Sequence, residues 1–397
     1  MSAGAAAAAL LAAACAGLGG GPAARPADGP APAASAVTTG APAGTATSFD
    51  TTWYVSARAR RDGRIVRAVA DSLEYGYVVT RFLERVGPGT DGRYLEGFDE
   101  TRVDSSRLPA AEFLRRVHAA DSAAAARGEG AVVYVHGFAV SFGRALGQAA
   151  EIAHRGSFHG PMIVFEWPAH TALATWPTPS ALISRAYRQD SASASASRGP
   201  FLQAVAALLG AVRPGALSVV GHSLGAQLVA EALAEPSPVH DTLEAHPLGA
   251  VALFAPDIPV ARFRDSLAAR LEAVAARRVV YASSSDWMLG ISRLVNHAPR
   301  AGRTGAALTL AAHDVEVVDV TRGRRVDGSF RKLVEPRHAM RWASSALYDF
   351  FGVVRGLPAA CRAADGVAAR QPDGTWQLTP APIPAAIPPA AEACAER

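Results

Sequence analysis

The stretch Val219-Val220-Gly221-His222-Ser223-Leu224-Gly225 constrains the fold more than any other part of the chain. It is an apolar run that ends in G-x-S-x-G and passes into Ala226-Gln227-Leu228-Val229-Ala230-Glu231-Ala232-Leu233. Leu217 to Val220 has strand character, and the segment after the serine reads as an amphipathic helix with no proline before Pro236. A serine at so sharp a strand-to-helix turn sits in a strained backbone. Glycines flank it because side chains there collide with the neighbouring strand and helix. The turn lifts the hydroxyl into the open and aims the Leu224 backbone N–H, with the N-terminus of the new helix, at the point where an oxyanion forms. Ser223 is therefore read as a nucleophile, and Leu224 N–H as one oxyanion donor.

Around this turn the chain alternates strand and helix. Thr51 to Ser56 and Tyr75 to Thr80 are early strands, and Leu108 to Ala126 has helical spacing before Gly128. Ala131 to Val135 reads as a buried strand, Phe142 to Arg155 as a helix, Met162 to Phe165 as a strand and Phe201 to Val212 as a helix. Strands follow at Ala250 to Phe254, Arg278 to Ala282 and Val315 to Val320. Strands that are apolar throughout and separated by helices predict an α/β fold, a mostly parallel sheet covered on both faces. Ser191 to Ser197, which alternates Ser with Ala, reads as a locally biased stretch within the domain.

In such a sheet, function sits at the carboxyl ends of the strands, and that rule sorts the polar residues. His136-Gly137-Phe138 follows the strand ending at Val135, where the Phe138 N–H becomes a second oxyanion donor. Asp257 in Ala255-Pro256-Asp257 follows the first strand after the serine, and Asp286 in Ser283-Ser284-Ser285-Asp286 follows the second. A serine hydroxyl is too weak a nucleophile near neutral pH, so an imidazole must take its proton and a carboxylate must fix the imidazole's tautomer. His338, after the last strand-like run, completes the order Ser, Asp, His. Asp286 is the expected acid, because the acid after the second strand past the serine is the commoner arrangement; Asp257 is the alternative acid. For either Asp the bland reading is a helix N-cap. His297 lies too near Asp286 in sequence to approach easily from a separate loop, His313 precedes its strand, and His222 is read as a packing residue.

These motifs together carry a resemblance. Tyr134-Val135-His136-Gly137-Phe138, Phe165-Glu166-Trp167-Pro168, Tyr187-Arg188-Gln189-Asp190, Gly221 to Gly225, Ala255-Pro256-Asp257, Tyr281 to Asp286 and Val317 to Val320 resemble a bacterial family of α/β-hydrolases whose substrates are largely undefined. The likeness spans roughly residues 50 to 350 and implies the α/β-hydrolase fold and a Ser-His-Asp mechanism, with Ser223 as nucleophile, Asp286 as acid and His338 as base. Ala139 stands where that family often has Asn, and Ala-Met follows His338 where Ser-Tyr is frequent.

The ends of the chain differ in kind from this body. Residues 1–15 read as an export signal although no Lys or Arg precedes the apolar stretch, and residues 16–48 as a Gly/Ala/Pro/Ser/Thr tether that buries too little surface to fold. Leu10 to Gly17 resembles a bacterial lipoprotein cleavage box, which makes Cys15 a candidate lipid anchor; simple cleavage or no processing are the alternatives. The hydrolase domain is expected over 49–357 and a Pro/Ala-rich tail over 358–397. Cys361 and Cys394 could staple that tail in an oxidising compartment or stay unpaired.

The 39 basic and 35 acidic residues are nearly balanced and the arginines scattered. Arg58 to Arg64 and Arg322 to Arg325 read as solvated loops, so no nucleic-acid partner is expected. No run of eighteen apolar residues crosses the body. With no H-E-x-x-H, phosphate-cradling glycine loop or close Cys/His set, neither metal nor cofactor is expected. The expected function is a serine hydrolase acting on a small-molecule or lipid carboxylic ester, exported, in the cell envelope or secreted. Trp167 to Ser184 is expected to wall the pocket and Trp287 to Ile291 to add a small cap. An inert binding module on the same fold, or an acyltransferase using the same triad, are the alternatives.

Overall fold

The strand that leads into Ser223 lies in the middle of an eleven-stranded sheet. The computed structural model describes residues 45–85, 98–169, 180–307, 314–323, 338, 344–363 and 366–381. In chain order the strands are β1 Thr45–Arg61, β2 Arg64–Arg85, β3 Phe98–Leu108, β4 Ala131–Val135, β5 Met162–Glu166 and β6 Leu217–His222, then β7 Ala250–Phe254, β8 Arg278–Ala282, β9 Glu316–Asp319, β10 Ala368–Arg370 and β11 Trp376–Leu378. Across the sheet they run β10-β11-β9-β8-β7-β6-β4-β5-β1-β2-β3. β4 to β9 are mutually parallel, as their uniformly apolar sequences predict. β1 adds parallel to β5, and β2 and β3 follow antiparallel.

Successive residues of a strand point to opposite faces, so each central strand feeds two cores. Val133, Val135, Val219 and Leu253 face one, beneath helices α1 (Ala110–Ala124), α4 (Arg198–Leu209) and α5 (Leu224–Leu233). Val132, Tyr134, Val220 and Ala252 face the other, beneath α2 (Phe142–Arg155) and α9 (Ser344–Val354). Full burial of each such valine or leucine is worth about 1.5–3 kcal/mol. The chain also forms α3 (Ser180–Ala196), α6 (Pro238–Ala245), α7 (Ala268–Val274) and α8 (Trp287–Asn296). No described helix is long and apolar enough to cross a membrane.

The structure departs from the sequence reading at several places. Arg58 to Arg64 is not a solvated loop. Asp62 and Gly63, with φ of 50° and 74°, form the tight turn of a long hairpin, and Arg58 is buried, its guanidinium paired with Glu166 of β5 at 2.5 Å. The Ser/Ala alternation is the last part of α3: both residues are small and pack readily in a helix, so a composition with period two concealed a period of 3.6. Trp167, expected to wall a pocket, is fully buried and stacked on the His136 ring at 5.1 Å between centroids.

The domain boundaries shift too. β1 begins at Thr45, inside the expected tether, because the chain there pairs with Arg85 of β2. The expected tail from 358 contributes two strands: β11 pairs parallel with β9 and β10 antiparallel with β11. Arg362 anchors this return, buried, with Nε on Asp349 Oδ1 at 2.8 Å and Nη1 on the Leu357 carbonyl at 2.8 Å. Cys361 is disulfide-bonded. The expected signal segment, most of the tether, Cys15 and Cys394 lie outside the described residues.

Candidate active site

Gly221 and Gly225 bear out the steric argument for the turn. A Cβ on Gly221 would lie 2.5 Å from Ala226 Cα, and one on Gly225 would run into the Val135 and His136 carbonyls at the end of β4. Ser223 between them has φ 56° and ψ −118°, a left-handed conformation for a residue with a Cβ, and only 5% of it is exposed. Its N–H donates to the Phe254 carbonyl of β7 at 2.9 Å, which pins the turn to the sheet.

His338 and Asp286 meet. His338 Nδ1 lies 2.7 Å from Asp286 Oδ2. A carboxylate only accepts, so Nδ1 carries the hydrogen and Nε2 is left as the basic nitrogen. The other carboxylate oxygen, Oδ1, accepts the Leu289 N–H at 3.0 Å and caps α8. The catalytic-acid reading and the N-cap reading of Asp286 thus describe two oxygens of one group. Burial lowers the His338 pKa, but the Asp286 charge, its hydrogen bond and the more distant Asp257 charge outweigh burial and leave it raised. His222 Nε2–H donates to the His338 carbonyl at 2.7 Å, so the residue read as packing holds the segment that carries the imidazole.

Asp257 is engaged elsewhere. Its Oδ2 accepts the Tyr187 hydroxyl at 2.6 Å, and its Oδ1 accepts Ser292 Oγ at 2.6 Å and pairs with Arg300 Nε at 3.1 Å. These contacts bind α3, α8 and Arg300 to the loop beside the serine, and burial together with the Asp257 charge raises the Tyr187 pKa. His297 caps the C-terminus of α8 with φ 51° and is exposed. His313 lies outside the described residues.

The His136-Gly137-Phe138 turn lies against the serine: a Cβ on Gly137 would be 3.1 Å from Ser223 Cβ. Among the described residues neither the Phe138 nor the Leu224 N–H donates to a backbone carbonyl. His136 is fully buried. Its Nε2 accepts the Trp167 N–H at 3.4 Å and its Nδ1 lies 3.1 Å from the Gly137 carbonyl. Burial holds its pKa down at about 3, so it is a neutral strut.

A family described as alpha/beta hydrolase of unknown function (DUF900) matches residues 118–329, more than half of the chain. The chain belongs to that family. No curated protein matches it. Among solved structures this α/β-hydrolase is similar to a post-proline cleaving enzyme from Rickettsia typhi, at 10% identity and a TM-score of 0.31, over 79% of this chain and 48% of that one. The chain spans about half the length of that enzyme.

Several residues of the hydrolase site escaped the sequence reading. Arg58 donates to the Trp167 and Ala169 carbonyls at 2.9 and 3.1 Å and holds the loop after β5. Arg303 donates to the Asp286 carbonyl at 2.6 Å. Ser283 N–H donates to the Gly302 carbonyl and Gly302 N–H to the Pro256 carbonyl, both at 3.0 Å, so the 300–303 loop ties both acid-bearing loops together. Nothing in local pattern marks these groups. Tyr187 and Asp190 did carry a signal, since they stand three apart on a helix and so share a face.

Proposed function

We propose that this α/β-hydrolase cleaves carboxylic esters through an acyl-enzyme on Ser223. The observation that carries the reading is the His338–Asp286 hydrogen bond of 2.7 Å, with the His338 ring 4.7 Å from that of His222, the residue before a serine held at positive φ. In the first step Ser223 Oγ attacks the ester carbonyl carbon while His338 Nε2 takes the hydroxyl proton, and the carbonyl π pair moves onto oxygen. The Leu224 and Phe138 N–H groups stabilise that oxyanion. Collapse expels the alkoxide, which takes the proton from His338. Water then attacks the acyl carbon, giving its proton to His338; collapse breaks the bond from that carbon to Ser223 Oγ, which takes the proton back from His338 as the acid is released. Asp286 keeps the imidazole in the tautomer this cycle needs and stabilises the imidazolium.

An apolar acyl group suits the surroundings. Phe138, Trp287 and Met288 are half-buried against a small cluster of Ala139, Ala186 and Ile291 beside the Phe138 turn. The α8 segment is thus the cap, whereas residues 170–179 of the expected wall lie outside the described residues. A lipid or small-molecule ester is the proposed substrate.

Fluorophosphonate labelling tests the reading. The expected result is loss of p-nitrophenyl ester hydrolysis with the adduct on the peptide holding Gly221 to Gly225. Fully inhibited protein with unmodified Ser223 overturns it. A panel of p-nitrophenyl esters of graded chain length then reads the acyl preference, and added alcohol acceptors separate acyl transfer from hydrolysis.

A further inference from the structure

Helix α3 carries a buried carboxylate that its own stability does not need. Asp190 is fully buried and lies well inside the helix, six residues from its end at Ala196, so it caps neither terminus. A buried carboxylate is costly unless each oxygen finds a donor. Asp190 Oδ2 accepts the Ala139 backbone N–H at 3.0 Å, and Oδ1 accepts Arg67 Nη2 of β2 at 3.1 Å. Arg67 also donates to Gln189 at 3.1 Å, so the β1–β2 hairpin secures the helix on its outer side.

Ala139 is the residue after Phe138 and is one of the few non-glycine residues with positive φ, at 54°. That region disfavours any side chain with a Cβ, with Asn and Asp the best tolerated. Alanine has no side-chain oxygen with which to stabilise the conformation locally. Its left-handed backbone is held instead by the charge-assisted bond from Asp190, and its N–H belongs to the peptide plane that begins at Phe138. One turn earlier on the same face, Tyr187 meets the Phe138 ring edge-on at 5.7 Å and donates to Asp257, whose N–H donates to the Ser223 carbonyl at 3.3 Å.

We propose that Asp190 is a positioning residue for the oxyanion site: by holding Ala139 in the left-handed conformation it sets the direction of the Phe138 N–H. This rests on the reading of Ser223 as nucleophile. The consequence is that a helix of the β5–β6 connection holds the second oxyanion donor, with Tyr187 keeping that helix in register with the serine turn.

The test uses the full chain with Asp190→Ala, Asp190→Asn and the double variant Asp190→Ala/Ala139→Gly, with folding checked by thermal melting. Loss of one oxyanion donor costs about a hundredfold or more in kcat, so a misdirected donor is expected to cost Asp190→Ala about tenfold to a hundredfold. KM for a p-nitrophenyl ester should change less than about threefold, because the ground-state carbonyl depends little on the donor. Affinity for a trifluoromethyl ketone, whose adduct places an oxyanion in the site, should fall in parallel with kcat. Glycine at 139 enters the left-handed region freely, so the double variant should regain at least about fivefold in kcat. A merely structural role gives neither the parallel loss nor the rescue. Should Asp190→Ala fail to fold, the near-isosteric Asp190→Asn, made with and without Ala139→Gly, carries the same comparison with a smaller loss. Folded variants with wild-type kcat, or a loss that glycine does not relieve, overturn the proposal. Wild-type protein that takes no fluorophosphonate at Ser223 overturns the nucleophile reading, and this one with it.

Discussion

At the scale of single residues, the two carboxylates near the serine make the sharpest comparison. His338→Ala and Asp286→Asn are each expected to lower kcat by at least about a hundredfold in folded protein, because both act as one unit with Ser223. Asp257→Asn should act mainly on melting temperature, since it unpairs Arg300 in a buried network. A folded Asp257→Asn enzyme with the larger loss of kcat would reverse the assignment of the acid. In the same assays the ascending limb of kcat/KM against pH should lie above the ordinary imidazole value of 6.5, because a raised His338 pKa keeps the base protonated to higher pH. His136 works in the opposite direction. Held down at about 3, it stays neutral in the fold while the unfolded chain takes up a proton below about 6.5. Its contribution to stability is therefore present above 6.5 and lost as the pH falls from there toward 3. Arg58 and Glu166 are the charged groups beside it. Melting temperature between pH 7 and pH 4 should fall less steeply in His136→Gln than in wild type, and equal slopes would show that His136 is not the group responsible. The meeting of His338 with Asp286 was legible, because motif and chain order point to both. Arg58 was not, because its partner Glu166 lies 108 residues away and no local pattern encodes such a pairing.

At the scale of elements, legibility followed burial. α2 matches its expected span, Phe142–Arg155, because its apolar residues recur on one face, and β4 matches because a fully buried parallel strand is apolar throughout. β3 was missed: its sequence, Phe-Asp-Glu-Thr-Arg-Val-Asp-Ser-Ser-Arg-Leu, is largely polar, and only its ladder with β2 makes it a strand. β10 and β11 are three residues each, shorter than any periodicity can reveal. The serine turn shows how tightly adjoining elements are matched. Gly225→Ala would push a methyl into the carbonyls of β4, and backbone cannot move aside as a side chain can. The expected cost is about 1–3 kcal/mol of stability, with slower fluorophosphonate labelling although Ser223 is unchanged. Labelling and melting at wild-type values would show that the strand and helix have room to separate.

At the scale of the whole molecule, we propose that the expected tether and the Cys15 anchor would set where the protein works. A flexible chain of about thirty residues reaches about 30 Å in root-mean-square extension, enough to hold a folded domain clear of a bilayer. Expressed with its native N-terminus in a bacterial host, the protein is expected in the membrane fraction and Cys15→Ser in the soluble exported fraction. Wild type that is soluble outside the cytoplasm removes the anchor, and uncleaved cytoplasmic protein removes export as well. The alternation of strands and helices made the sheet legible as a whole, but not the return of the chain to it after Leu357, which depends on buried Arg362 and a ladder to a strand far upstream. That return bears on self-association. Ser223, Asp286 and His338 all precede β11, so a chain clipped before Trp376 keeps every group of the proposed chemistry and leaves the N–H and C=O groups along the outer side of β9 without their neighbour. Such a bare strand is a template for a second copy. The last two strands therefore guard the hydrolase against its own kind, and their loss would surface first as aggregation, with Ser223, Asp286 and His338 still in the chain.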